Sequence, residues 1–302
     1  MKEQRGAWLG QGAILCCAVL WSTSGLFIKL LDWHPLLIAG GRSAIAALFL
    51  FIVRCMARRR QGAVPPPAGR FPIVMAGALA YAATMIAFVW ANKLTAPANA
   101  ILLQYTAPIW AALLGWCLVG EKPRWFHWGA LALVLGGLLI FFRDDLKAGG
   151  PGAASTLRGD IVALASGLFF GAHSVFLRMQ KDGNPADSML GAHLICAVVA
   201  LPAFILMPPA LNIRSLGALG FMGVFQVGLA SRLFALGIRR VQAMQALLIA
   251  MIEPVLNPLW VFAVTGERPS PAALAGGMVI ILAVLCSSFL AQRYPPRGIP
   301  KP

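Results

Sequence analysis

The chain has 302 residues, of which 59% are apolar and only 12% charged, and its mean hydropathy is +0.78. Soluble domains are about 45–50% apolar and about 25% charged, so a water-facing globular enzyme is excluded, and so is a disordered chain. The formal charge of +15, from 25 Lys+Arg against 10 Asp+Glu, would suggest nucleic acid in a soluble protein, but membrane topology has the first claim on those positives.

A membrane helix takes roughly 20 apolar residues, and ten such runs follow one another. The first, 8–31, comes after Lys2 and Arg5. It is too long for a signal-peptide core and ends at Lys29 and Asp32 without a clear small-residue cleavage site, so it reads as a retained helix. It carries Trp21, Ser22 and Ser24. The second, 34–56, holds Arg42 and runs out into Arg58-Arg59-Arg60, a strong topology anchor. The third, 71–92, holds Tyr81, and the fourth, 95–118, holds Asn99, Gln104, Pro108 and Trp110. The fifth, 125–142, follows Gly120-Glu121-Lys122-Pro123. After a polar stretch the sixth, 159–178, carries Gly167-x-x-x-Gly171, a spacing that permits close helix approach, then His173 and the closing Arg178. The seventh, 187–207, holds His193; the eighth, 216–238, holds Gln226 and Arg232. The ninth, 241–264, holds Gln245, Glu253, Pro254, Asn257 and Pro258, and the tenth, 270–292, follows Gly266-Glu267-Arg268-Pro269. Trp8, Trp33, Trp90 and Trp125 sit near span ends, where tryptophan anchors to the interface.

With the N-terminus inside, sixteen of the 25 basic residues fall on the inner side and seven on the outer. The bias predicts N-in and C-in. The six cysteines form no CxxC and no Cys/His set at zinc spacing. No GxxxxGK[ST], HExxH or GxSxG occurs, so the chain carries no ATP-driven motor and no familiar hydrolase motif. Neither a metal nor a cofactor is called for.

The chain repeats itself at an offset of about 146 residues. Gly120-Glu121-Lys122-Pro123 matches Gly266-Glu267-Arg268-Pro269. Pro108 matches Pro254, and Asn99 matches Gln245. Lys29 is answered by Arg178, and Arg42, with a small gap, by His193. Five spans per half is an odd number, so the second half enters the membrane the opposite way. The expected architecture is an all-α polytopic membrane protein of ten transmembrane helices in two inverted five-helix repeats, 8–142 and 159–292, joined by an extracytoplasmic linker at 143–158. Secondary transporters are built in this way, with the substrate site near the midplane between repeats.

On these residues the chain resembles the EamA-type members of the drug/metabolite transporter superfamily. Pro108 with Gly120-Glu121 and Glu253-Pro254 with Gly266-Glu267 carry the resemblance. Gly129, Gly276-Gly277, Arg42, Lys29 and Arg178 support it. It implies a bundle with a central cavity lined mainly by spans 1, 3, 4, 6, 8 and 9, and in many bacterial members export of small metabolites.

Ionisable groups at membrane depth are costly and usually functional. Glu253 lies about 18 Å along a ninth span of about 36 Å, close to the midplane. There it binds a cation, carries a proton, or pairs with an arginine. Arg42 reads as a packing or snorkelling residue, and Arg232, on a presumed cavity helix, as a clamp for a substrate carboxylate. His173 is a candidate proton relay. The candidate substrate-binding set is Trp21, Ser24, Tyr81, Asn99, Gln104, Trp110, His173, Gln226, Arg232, Gln245, Glu253 and Asn257, with no catalytic residue. Pro108, Pro254 and Pro258 remove helix hydrogen bonds and should bend spans 4 and 9 near the site.

The function that follows is secondary transport by alternating access, not an enzyme: export of a small amphipathic metabolite such as an amino acid across the cytoplasmic (inner) membrane. The alternatives are an organic-cation, drug or choline-like transporter of the same fold and, further off, an intramembrane enzyme using Glu253 with a histidine. The partners are a small-molecule substrate and the lipid bilayer, not nucleic acid. Proton coupling fits the same residues, as does either a monomer or a homodimer.

Overall fold

The computed structural model describes residues 2–23, 27, 31, 33–60, 71–95, 97–148, 157–266 and 270–294. Among them every regular element is helical. The helices are α1 (Lys2–Ser22), α2 (Pro35–Arg60), α3 (Phe71–Leu94), α4 (Pro97–Gln104), α5 (Ala107–Val119), α6 (Trp125–Phe141) and α7 (Arg143–Ala148) in the first half. In the second half come α8 (Leu157–Met179), α9 (Ala186–Leu206), α10 (Ile213–Phe221), α11 (Ala230–Ile238), α12 (Ala243–Ala250), α13 (Glu253–Thr265) and α14 (Pro271–Arg293). Seven helical stretches are long and apolar enough to cross a membrane, and three shorter apolar helices, 6–22, 125–141 and 243–256, accompany them.

The outer surface is apolar. Phe51, Leu133, Val198, Leu201 and Phe289 are all exposed, which suits lipid rather than water. Trp8, Trp90 and Trp125 are likewise exposed near helix ends.

Two helices are interrupted midway, at corresponding places. α4 stops at Gln104 and α5 restarts at Ala107, with Pro108 in its first turn. α12 stops at Ala250 and α13 restarts at Glu253, with Pro254 in its first turn. The expected bends are one-turn interruptions, crossed by tighter bonds such as Thr106 N to the Leu103 carbonyl and Ile252 N to the Ile249 carbonyl, since proline lacks the N–H that would continue the ladder. Each broken helix ends on a glycine in the left-handed region, Gly120 at φ 74° and Gly266 at φ 76°. A side chain with a Cβ is strained there, so glycine terminates both helices at equivalent points. A third irregularity is single. Residues Met222–Leu229, between α10 and α11, form a π-helix, a rare winding found mostly at functional positions.

Small residues set the packing. α3 packs along α8, α6 along α14, and α2 along α9, while α5 crosses α8. A Cβ on Gly171 would lie 2.7 Å from the Ala107 carbonyl oxygen, and one on Gly167 2.9 Å from that of Gln104. The Gly167-x-x-x-Gly171 face thus seats α8 directly on the break between α4 and α5. At the α6–α14 crossing a Cβ on Gly276 would lie 2.4 Å from the Gly137 carbonyl oxygen and 2.5 Å from Phe141 N. Those atoms are backbone and cannot swing aside.

Gly276→Ala should therefore lower stability by about 1–3 kcal/mol, the usual cost of overpacking. Gly136→Ala, where nothing lies within 4 Å of the added carbon, should be neutral or gain up to about 1 kcal/mol from helix propensity. Melting temperatures of the two purified variants check this sign difference.

Candidate functional site

The two breaks meet inside the bundle. Glu253 is the first residue of α13, directly before Pro254. Tyr105 sits in the α4–α5 break and interacts electrostatically with the Glu253 carboxyl group. The break in the first half is thus tied to the break in the second.

Arg42 on α2 faces the same carboxylate electrostatically. The two do not form an ion pair; the ion pairs among the described residues are Arg54–Asp187 and Arg178–Glu121. Arg42 Nη1 donates to Gln226 Oε1 at 3.5 Å, the long limit of such a bond, and Nε is buried without a partner. A guanidinium carries five donors, so most of its capacity is unspent. The π-helix carries Gln226, which is 3% exposed. Gly223 of the same stretch lets it approach α2, since a Cβ there would lie 3.1 Å from the Arg42 carbonyl oxygen. Arg42, Tyr105 and Glu253 each keep part of their surface accessible although they lie deep along their spans.

Aromatic rings close the cluster. Tyr81 stacks on His173 with centroids 4.5 Å apart and meets His193 edge-on at 5.8 Å. Trp21 lies 5.5 Å from Phe234 and 6.0 Å from Phe170. The spacings are those of favourable aromatic pairs. His173 Nδ1 donates to the Gly77 carbonyl at 2.8 Å, which leaves Nε2 as a buried acceptor without a partner. His193 Nε2 bonds Ser231 Oγ at 2.9 Å.

The structure thus brings Trp21, Tyr81, His173, Gln226 and Glu253 together around Arg42. It puts Asn99, Gln104 and Trp110 elsewhere. Gln104 Nε2 donates to Ser166 Oγ at 2.9 Å, and that hydroxyl donates to the Thr84 carbonyl. Asn99 bonds Thr95, which donates to Asp160 at 2.8 Å, and Trp110 Nε1 bonds Thr106 at 3.3 Å. These bonds tie helices to one another. Arg232 lies six residues past Gln226, about 9 Å further along the helix. It lines a separate pocket of about 310 Å³ with Arg54, Asp187 and Arg239. The arginine opposite Glu253 is Arg42, which the sequence marked as packing. Gln245 lines another pocket at the end of the bundle where α1 begins and α14 finishes. Ser24 and the side chain of Asn257 lie outside the described residues, as do Lys29 and Glu267-Arg268-Pro269.

Tyr105, Phe170 and Phe234 escape sequence reasoning. Tyr105 had one usable signal, its place just before Pro108 at the predicted bend. The two phenylalanines are indistinguishable from lipid-facing ones without knowing which face turns inward.

At the same end as Gln245, the halves are bolted together. Arg178 Nε donates to Glu121 Oε1 at 2.5 Å, and its Nη1 donates to the carbonyls of Ile238 and Arg239 at the end of α11. Glu121 Oε2 accepts from Ala243 N, the first residue of α12. One ion pair therefore caps one helix end and the next helix start. Among the described residues no cluster of three or more His, Cys, Asp or Glu has the arrangement of a metal site.

The EamA-like transporter family matches this chain twice, over residues 8–143 and 157–289. The transporter YwfM of Bacillus subtilis is 27% identical over 72% of this chain and 73% of its own length. The inner membrane transporter YedA of Escherichia coli is 22% identical over 96% and 94%. The pseudopaline exporter CntI of Pseudomonas aeruginosa is 26% identical over 82% and 84%. A crystal structure at 22% identity shares the fold with a TM-score of 0.78, covering 94% of this chain and 98% of that one.

Tyr105→Phe removes the hydroxyl nearest Glu253 and should cost about 0.5–1.5 kcal/mol, the usual net worth of a single polar contact. The cost should shrink to a few tenths in a Glu253→Ala background, which has no acceptor there. A double-mutant cycle on stability measures this; additive costs would show that the two breaks are not joined.

Proposed function

Since this chain belongs to the EamA-like transporter family, whose members are transporters, we propose that it exports a small zwitterionic metabolite, most simply an amino acid, across the inner membrane. Its apolar spans and its likeness to YedA, an inner membrane transporter, support that location. The exporter CntI supports the direction. The single observation that carries the substrate class is the opposition of Arg42 and Glu253 without an ion pair. A molecule with a carboxylate and an ammonium group bridges such a gap. The carboxylate meets the unspent donors of Arg42 in a two-pronged bond, and the ammonium meets Glu253. Its side chain rests against Trp21, Tyr81 and the neighbouring phenylalanines.

In the same proposal the ten apolar segments are ten spans with both termini inside. The repeats 8–142 and 159–292, joined across 143–158, insert in opposite senses and rock about the central cluster. The Arg178–Glu121 pair closes the inner end in one of the two states. Glu253, or His173 through its bare Nε2, carries the proton when transport is coupled. A second reading, an organic cation held by Glu253 and the aromatic wall, draws on the cation–π capacity of Trp21 and Tyr81.

The test is flux in proteoliposomes loaded with labelled amino acids, with labelled choline in a parallel arm. Arg42→Lys should cut amino-acid flux roughly ten- to hundredfold, because an ammonium does not reproduce a two-pronged guanidinium contact. Glu253→Gln should do the same in either arm. Amino-acid flux that survives Arg42→Lys would discard the zwitterion reading. Choline flux that survives it while Glu253→Gln abolishes it would favour the cation.

A further inference from the structure

We propose that the pocket at the inner end of the bundle, apart from the Arg42–Glu253 cluster, is an oxyanion site. It is about 380 Å³ in volume and lies among α1, the start of α6, the α11–α12 turn and the end of α14. That size suits a small organic ligand.

Two buried N–H groups beside this pocket lack an acceptor. Arg124 N donates to His127 Nδ1 at 3.2 Å. A ring nitrogen that accepts carries no proton, so the proton sits on Nε2. His127 is 2% exposed and its Nε2 has no partner. Gln245 is 6% exposed and its Nε2 also has none. Both side chains line this pocket. A buried N–H without an acceptor costs about 1–3 kcal/mol, and here there are two, on different helices, around one cavity.

Neither nitrogen bonds another polar residue of the lining, Gln11, Gln242, Gln292 or Tyr294. Gln292 Nε2 donates instead to Gln11 Oε1 at 2.6 Å, and Gln11 Nε2 to the Ser288 carbonyl. Arg124, Arg178 and Arg240 line the same space, and among the described residues no Asp or Glu does. The acid beside it, Glu121, is engaged by Arg178 and by Ala243 N. The pocket thus combines two unpartnered N–H groups with the positive charge of arginines. A carboxylate or phosphate group answers both, with its apolar remainder against Phe126 and Val241. The group belongs either to a soluble metabolite or to a phospholipid headgroup of the adjacent leaflet.

The experiment uses the full chain in detergent, with inorganic phosphate and succinate as soluble probes and chloride at equal ionic strength as control. A parallel arm compares nanodiscs of phosphatidylglycerol with nanodiscs of phosphatidylcholine. Melting midpoints are read as a function of probe, since a ligand of the folded state raises them according to its affinity. The exposed Arg240→Gln should weaken the response roughly ten- to hundredfold. His127→Glu keeps the bond to Arg124 N, as glutamate does at this helix position, but puts a carboxylate in the pocket and should abolish the response. His127→Gln keeps both that bond and a donor and should retain it. A response to phosphate or succinate with this pattern supports a soluble oxyanion. The same pattern confined to phosphatidylglycerol nanodiscs supports a headgroup. No response beyond chloride and phosphatidylcholine in the wild type, or an unchanged response in His127→Glu and Arg240→Gln, overturns the site.

Discussion

Within a bilayer every peptide N–H and C=O must find its partner inside the protein. A spanning helix can therefore be interrupted only where other groups stand in for the lost ladder bonds. In this chain the interruptions fall at residues 105–106 and 251–252, both in the interior. The break before α13 puts Glu253 at the first position of that helix. The break before α5 places Tyr105 within reach of that carboxylate. Close seating of α8 is what makes the arrangement tolerable. Gly167 and Gly171 bring that helix onto the backbone of the first break, shielding it from lipid.

The same constraint explains why Arg42 stays charged and underused. A guanidinium is paired or water-facing when it lies inside a membrane. Gln226 reaches it only at 3.5 Å, and Nε is unpartnered. Arg42 is only partly buried, which lessens the cost of holding it there. The π-helix at Met222–Leu229 matters here because widening the turn changes which face its residues present. Gln226 lies inside that stretch.

Much of the scaffold was legible in the sequence, and the reason is periodic. Apolar runs separated by polar breaks mark the helices, seven of them long enough to cross a membrane, and Gly-Glu-basic-Pro recurring about 146 residues apart marks the two matches of one family model. Pro108 and Pro254 mark the interruptions, since proline acts locally. The choice between Arg42 and Arg232 was not legible. Both are arginines about two turns from a span end, and what separates them is rotation about the helix axis, fixed by packing against other helices. Gln104 shows the same limit: its amide is spent on Ser166, a partner from a helix sixty residues away in sequence. The unpaired nitrogens of His127 and Gln245 were invisible for a related reason, because a missing partner is a property of the assembled bundle alone.

The two halves share a scaffold but not a decoration. Gly120 answers Gly266, and Pro108 answers Pro254. Yet the residue equivalent to Glu253 is Ala107, and the π-helix of the second half has an unbroken α3 as its counterpart. The shared features are backbone ones, the paired interruptions and the glycines that end them. The side chains around them differ between the halves. Arg42 lies on α2 of one half and Glu253 on α13 of the other, so under the proposed function a zwitterion held between them would lie one way round and touch both halves at once.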